Sequence, residues 1–306
     1  MKDINAYRFR IPLRSPLVLK GRRYNEREGV LLEHAGRWAE ASPLPGFSRD
    51  SVEDVLDALR GDVPATPAVR FAMDSLRLPE IDVLDVPYNR LLVGTSDEVL
   101  KNARSMNDTR CKAVKLKVGR VDLCDEIRLV RSVRELLPVH VGLRLDANQA
   151  WSFEQACEFA ESIADLHIEY TEEPLRDSDR LEELFDRTGM RYALDESLLE
   201  WRSLSAFPNA STLICKPTLL GGIDAIKRLA ATGKPIVFSA AFESGVGMSR
   251  IVQLASEYSP ETAAGLDTLD WLTDDLLIES PRKANGRFII AGEPQVDPSC
   301  LEPISR

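Results

Sequence analysis

The chain opens on period-two alternation. Residues 4–13 (INAYRFRIPL) place Phe9, Ile11 and Leu13 on one face and Arg8 and Arg10 on the other, the pattern of a half-buried strand. Residues 27–36 (REGVLLEHAG) and 37–44 (RWAEASPL) read as second and third strands, joined by a Gly turn in HAGR. Residues 15–27 (SPLVLKGRRYNER) are polar and basic around a Gly, and read as a flexible loop rather than an element. Helical spacing follows at 51–61 (SVEDVLDALRG), which starts on a capping Ser and stops at Gly61, and again at 64–78. The first 88 residues thus predict a small α+β unit.

From Leu91 the pattern changes. Short apolar runs at 91–94, 113–119, 140–148, 169–174, 191–197, 212–217, 235–242 and 262–268 alternate with amphipathic stretches at 124–137, 152–165, 179–189 and 221–233. Strand–helix alternation calls for a parallel sheet, and eight strand candidates in this span suit a closed barrel better than an open doubly wound sheet. No GxGxxG opens the first strand–helix turn, which weakens a dinucleotide-binding reading. The expected fold is α/β: a (β/α)7β-type TIM barrel over 89–284, with an α+β capping domain formed by 1–88 and the tail 285–306, which packs back on the first unit.

Composition then narrows the classes. A net charge of −10, without a clustered basic excess, argues against a nucleic-acid partner. It also means that an anionic ligand needs a locally cationic site. The five cysteines (Cys111, Cys124, Cys157, Cys215, Cys300) are odd in number and form no CxxC pair, the usage of reduced thiols. The first residues lack the apolar core of a signal peptide, and no apolar run approaches the ~20 residues needed to span a bilayer. A cytoplasmic protein with no membrane partner is expected; oligomeric state is not legible.

The chemistry lies in where the charges fall. Inward positions on barrel strands are normally apolar, and active groups gather at the C-terminal strand ends. Here the second strand candidate ends in Lys115 and Lys117, the third in Arg144, Asp146 and Asn148, the fourth in Glu172, the fifth in Asp195, and the sixth in Lys216; the seventh runs into Ser239 and Glu243. Period-two spacing puts Lys115 with Lys117, and Arg144 with Asp146 and Asn148, on single strand faces. Asp146, Glu172 and Asp195 are one strand–helix unit apart and fall side by side at the mouth. Three adjacent carboxylates repel one another unless a hard cation neutralises them. Oxygen-only donors suit Mg2+, and Mn2+ satisfies the same argument, whereas no His or Cys joins them to favour zinc. A lysine beside such a cation and a second ammonium is biased toward its neutral form and can act as a base. Singly, each residue has an ordinary reading: KxK occurs on edge strands, and an acid at a strand end caps the next helix. The ordered set is what points to a site. His34, His140 and His167 sit at strand starts or turns and read as structural, Cys215 as a packing residue, and Glu243 as a supporting partner.

In this order and spacing, KLK, LDAN, EEP, LDES and CKP resemble the enolase superfamily, in its muconate-lactonizing-like branch, over essentially the whole chain. AEASPLPGFS (ending at Ser48), RLDANQAWS and SAAFESGVG resemble, within that branch, the o-succinylbenzoate synthase family of menaquinone biosynthesis. The resemblance implies a metal-dependent hydro-lyase that removes a proton next to a carboxylate and acts on a small dianionic substrate. It implies Asp146, Glu172 and Asp195 as metal ligands, Lys117 as the base, and Lys216 as the cation on the opposite face. Ser239, Ser244 and Gly245 fall where the family binds the succinyl arm. Lys115, Arg144 and Asn148 join them as candidate substrate contacts. Lys20, Arg22 and Arg23 are expected either as solvated charges or as a loop that closes over the site and lends it positive potential, with Leu17, Val18 and Leu19 covering the substrate ring.

Competing readings stay open at this point. An N-succinylamino acid racemase, a dipeptide epimerase or a muconate cycloisomerase would keep the same five charged residues. A dipeptide epimerase would carry an Asp-x-Asp pair at the end of the eighth strand, which GLDTLD (265–270) approaches. A Schiff-base aldolase would not need the carboxylate trio, and a non-catalytic carboxylate-binding barrel would not need lysines on both sides of it.

Overall fold

The computed structural model describes residues 4–19, 21–108, 110–200 and 204–304. The N-terminal alternation becomes a long antiparallel hairpin. β1 (Asn5–Leu19) pairs with β2 (Arg22–His34) from Asn5↔Glu33 to Leu19↔Arg22, with a register shift between Pro12 and Leu17. β3 (Arg37–Ala41) follows across the Ala35–Gly36 turn, where both residues have positive φ. Residues 15–19 and 21–27 are therefore not a loop but the outer half of this hairpin. Most of its polar side chains are exposed while Leu17 packs with Phe9, Ile11 and Leu13, and Gly21 (φ 77) supplies a left-handed position at its tip. Lys20 lies outside the described residues.

α1 (Val52–Arg60) starts on a Ser51–Asp54 capping box and ends on Gly61 in the left-handed region, and α2 (Pro67–Ser75) starts on Thr66 with Pro at its first turn. Their apolar faces (Val55, Leu56, Ala68, Val69) bury against Val30, Leu32, Ala39 and Ala41.

β4 (Leu84–Pro87) leads into the barrel: β5 (Asn89–Leu92), α3 (Ser96–Arg104), β6 (Ala113–Lys117), α4 (Leu123–Leu136), β7 (Gly142–Asp146), α5 (Phe153–Ser162), β8 (Tyr170–Glu172), α6 (Leu181–Thr188), β9 (Tyr192–Leu194), α7 (Glu196–Leu199), β10 (Thr212–Cys215), α8 (Pro217–Leu220), α9 (Ile223–Ala230), β11 (Ile236–Phe238) and α10 (Gly245–Tyr258). The parallel sheet runs β11-β10-β9-β8-β7-β6-β5. Residues 262–268, expected as an eighth strand, form no strand. Ala264 and Gly265 alone bridge the two edges: Gly265 N–H donates to Phe238 (2.8 Å) and its carbonyl accepts from Ala240 (2.9 Å), while Ala264 exchanges bonds with Pro87 and Asn89 (2.9 Å each). Two residues suffice to close the ring, because the backbone turns away at Leu266 into a short 3-10 turn (Asp267–Trp271).

Leu143, Leu145, Leu194, Leu213 and Phe238 point outward into the core shared with the helices, whereas Tyr170, Ala193, Ile214 and Val237 fill the barrel interior. α10 escapes an amphipathic search because Gly245–Ala255 are all buried, so the helix has no polar face to set a period. The tail divides. β12 (Arg282–Ala284) and β13 (Arg287–Ile290) pair across a turn on Asn285–Gly286, both at positive φ, and β13 pairs in turn with β4, while β14 (Glu302–Pro303) pairs with β1. Among the described residues, no helix is long and apolar enough to cross a membrane.

Candidate active site

Parallel registry sets the acids side by side. Lys117 is opposite Asp146, and Asp146 opposite Glu172, across β6–β7–β8, and the carboxylates of Asp146, Glu172 and Asp195 are each 1–2% exposed. Lys115 Nζ lies 2.6 Å from Asp146 Oδ2 and 2.8 Å from both Glu172 oxygens. Lys117 Nζ lies 2.6 Å from Asp146 Oδ2 and donates to Asn148 Oδ1 at 2.6 Å. On the other side, Lys216 pairs with Asp195. Asn148 also donates to Glu196 (3.0 Å), which lines the same cavity.

Burial and the neighbouring Asp146 push the Glu172 carboxyl up to about 8. Asp146 is held well below the usual carboxylate range by Lys115 and Lys117, which outweigh the burial acting against them. Burial works against the charged form of Lys115 and Lys216 too, but the facing acids win and raise both. The lysine ammoniums therefore neutralise the acid cluster as it stands. The donor set fits a divalent cation: it consists of oxygens alone, comes from three consecutive strand ends, and is buried where its charge needs a cationic partner. Among the described residues, no three carboxylates converge tightly enough to hold an ion in their present posture.

The loops behind these strand ends are rigidly held. Glu173 turns away from its neighbour Glu172, at φ 40, and accepts from the N–H groups of Asp195 and Ser197 (2.8 Å each) and from Ser197 Oγ (2.9 Å). Buried Glu126 accepts from the N–H groups of Gly119 and Arg120, fixing the turn after Lys117. Asn148, Gln149, Glu173 and Phe242 all occupy the left-handed region, and all lie at the mouth.

A cavity of about 590 Å3 opens on this cluster. Lys115, Lys117, Asp146, Asn148 and Lys216 line its charged side. Leu17, Val18, Leu19, Leu44, Phe47, Phe242 and Trp271 line the other, with Ser239 between. The hairpin arm thus brings its apolar residues to the cavity, and not Arg22 or Arg23.

Three expected substrate contacts are placed elsewhere. Arg144 is 4% exposed, with its guanidinium on Glu169 (2.6 Å), Asn89 (3.2 Å) and the Ala263 carbonyl (2.6 Å), over the Tyr170 ring. It pins the barrel interior to the closing segment: Lys115, its partner in register on β6, reaches Asp146 and Glu172, whereas the Arg144 guanidinium is held by Glu169, Asn89 and the Ala263 carbonyl. Ser244 caps α10, and its N–H and hydroxyl donate to buried Glu40 of the cap, which also accepts from Gly247. Gly245 N–H donates to Asp275 (2.7 Å). That helix end is thus already occupied by carboxylates of this chain, and neither residue lines the cavity.

Glu40, Glu196, Phe242, Trp271 and Asp267 were not singled out from the sequence, save that Asp267 lies in GLDTLD. Asp267 lines the cavity, but its carboxylate accepts from Lys283 (2.6 Å) and from Leu91 N–H (2.9 Å), with Arg90 3.6 Å away. The one available signal was Asn285–Gly286, a hairpin dipeptide that places Lys283 on a strand.

Residues 98–294 match the family model of the enolase C-terminal domain-like domain, and residues 1–76 match the MenC N-terminal domain. The o-succinylbenzoate synthase of Enterobacter sp. (strain 638) is 32% identical, over 99% of this chain and 100% of its own length. That of Haemophilus influenzae is 31% identical, over 90% of this chain and 92% of its own. Among solved structures, the o-succinylbenzoate synthase of Thermosynechococcus elongatus BP-1, complexed with Mg in its active site, aligns with a TM-score of 0.78 at 23% identity over 91% of this chain and 96% of its own. The L-Ala-D/L-Glu epimerase of Bacillus subtilis aligns at 0.80 with 19% identity, over 99% of both chains. At such identities the structural matches speak for the fold alone.

Proposed function

The chain belongs to the enolase superfamily, in its o-succinylbenzoate synthase family, and from that premise we infer that it dehydrates 2-succinyl-6-hydroxy-2,4-cyclohexadiene-1-carboxylate to o-succinylbenzoate, a step of menaquinone biosynthesis. It is a metal-dependent hydro-lyase. In this reading Asp146, Glu172 and Asp195 hold Mg2+, or Mn2+ in its place, and the ion supplies positive charge beside the substrate carboxylate. Lys117, its Nζ neutral and released from Asp146, takes the proton from the ring carbon that bears the carboxylate. The electron pair left behind delocalises onto the carboxylate oxygens, and in a second step returns to form the ring double bond as the hydroxyl departs from the adjacent carbon. The proton on Nζ passes to that hydroxyl, so that water leaves and the ring becomes aromatic. Lys216, facing Lys117 across the site, stabilises the negative charge carried by the carboxylate oxygens between the two steps. Lys115 and Asn148 hold Asp146 and Lys117 in register, and Ser239 lies at the border between the charged and apolar walls. Residues 1–88 with 285–306 serve as the specificity cap, and 89–284 as the barrel. Five free cysteines fit a reducing compartment such as the cytoplasm.

What supports the reading best is the meeting of three carboxylates and two opposed lysines at one mouth, beside an apolar wall suited to a ring. A dipeptide epimerase is disfavoured by Asp267: with Lys283 and Arg90 on its carboxylate, it offers no free negative charge to a substrate ammonium. The test is absorbance-monitored aromatisation of the cyclohexadiene with Mg2+ and with EDTA. Metal-dependent turnover is expected. Its absence, together with α-proton exchange of N-succinylamino acids in D2O, would replace the synthase reading with a racemase.

A further inference from the structure

Arg27 has no part in that reaction, yet it is 3% exposed and, among the described residues, forms no ion pair. Burial pushes its guanidinium down from its ordinary value against the raising fields of Glu243, Glu40 and Glu28. A buried charge without a paired carboxylate is costly to keep and needs its donors satisfied elsewhere. Here all its bonds go to backbone carbonyls. Two belong to the cap, Ser42 and Pro43, at 3.0 Å each. Two belong to the barrel loop after β11, Phe242 at 3.1 Å and Ala241 at 3.5 Å. One planar fork thus ties the cap to a segment that lines the cavity. In that segment Phe242 adopts φ 63, a conformation that side chains of its size rarely take, and sets its ring edge-on to Trp271 with centroids 5.9 Å apart. The reacting carboxylate belongs at the lysines, so the rest of the substrate must extend toward this wall.

We propose that Arg27 is a positioning residue for the substrate's ring: acting from the cap, it holds the Ala241–Phe242 backbone and with it the aromatic wall that the ring lies against. This rests on the synthase reading for the identity of the ring, but not for the clamp. Lysine, a point donor, cannot span both pairs of carbonyls, so Arg27→Lys should loosen the wall as Arg27→Met does.

The experiment combines amide hydrogen exchange with steady-state kinetics on the full-length chain, using Arg27→Met, or Arg27→Lys if the first does not fold. Exchange at 240–243 is expected to rise about tenfold or more while β6–β9 keep wild-type protection. KM for the cyclohexadiene should rise about tenfold with kcat within about threefold, because the chemistry at the lysines is untouched. Unchanged exchange at 240–243, or an unchanged KM in a folded variant, overturns the proposal, as does a loss confined to kcat. If the wild type does not turn over the cyclohexadiene, the synthase reading fails, and the exchange result still decides the clamp.

Discussion

Removing Lys115 tests the electrostatic account of the mouth without any assay of turnover. Its ammonium is the one cation shared between Asp146 and Glu172, at 2.6 and 2.8 Å, and both carboxylates are 1% exposed. Deleting one partner of a buried ion pair costs about 3–5 kcal/mol. In Lys115→Met, Asp146 keeps Lys117 at 2.6 Å, and Glu172, already pushed up to about 8, can take a proton. The loss should therefore fall at the low end, about 3 kcal/mol. At roughly 2 °C per kcal/mol for a chain of this size, the melting temperature in EDTA should drop by about 6 °C. A divalent cation replaces the missing charge, so saturating Mg2+ should raise the variant's melting temperature by more than the wild type's. Calorimetry in EDTA and in Mg2+ measures both. A variant within about 2 °C of wild type in EDTA, or equal Mg2+ increments for both proteins, would refute the claim that the acids form one cluster held together by lysine until metal arrives.

Two further predictions separate structure from recognition. Arg144→Lys should lower the melting temperature measurably, because a lysine cannot serve Glu169, Asn89 and the Ala263 carbonyl together, while the folded enzyme keeps KM within about threefold; a tenfold rise in KM would return Arg144 to the substrate. Glu40, pushed up to about 7 by burial and by Glu243, binds its proton more tightly folded than unfolded. Its contribution to stability is thus full below about 4.5 and is lost as pH rises through 7, a difference of roughly 3 kcal/mol. Urea unfolding at pH 5 and pH 8 should show a smaller pH effect in Glu40→Gln than in wild type, and equal effects would contradict this assignment.

The chain shows its barrel and its charged residues plainly, because both follow from period and spacing. Lys117, Asp146, Glu172 and Lys216 sit at strand ends whatever the loops do. What the pattern hides is direction. Arg144 shares a face with Asp146 and a register with Lys115, yet its guanidinium is tied to Glu169 and the Ala263 carbonyl, and nothing in RLDAN marks the difference. Ser244 and Gly245 look like an anion site until Glu40, some two hundred residues earlier in the chain, is found filling it. Residues 15–27 look like a loop because, among the described residues there, only Leu17 and Arg27 are buried, too few positions to show an alternating face. The eighth strand is absent because two residues are enough to close the ring.

If Lys117 carries the proton, its removal must abolish turnover and spare the metal site. Metal-dependent aromatisation of the cyclohexadiene by wild type and by Lys117→Ala, with Mg2+ affinity followed in parallel by calorimetry, measures both. Turnover should fall by about 10²–10⁴-fold or more in the variant with metal binding retained. A Lys117→Ala protein that binds Mg2+ and works within tenfold of wild type would contradict it.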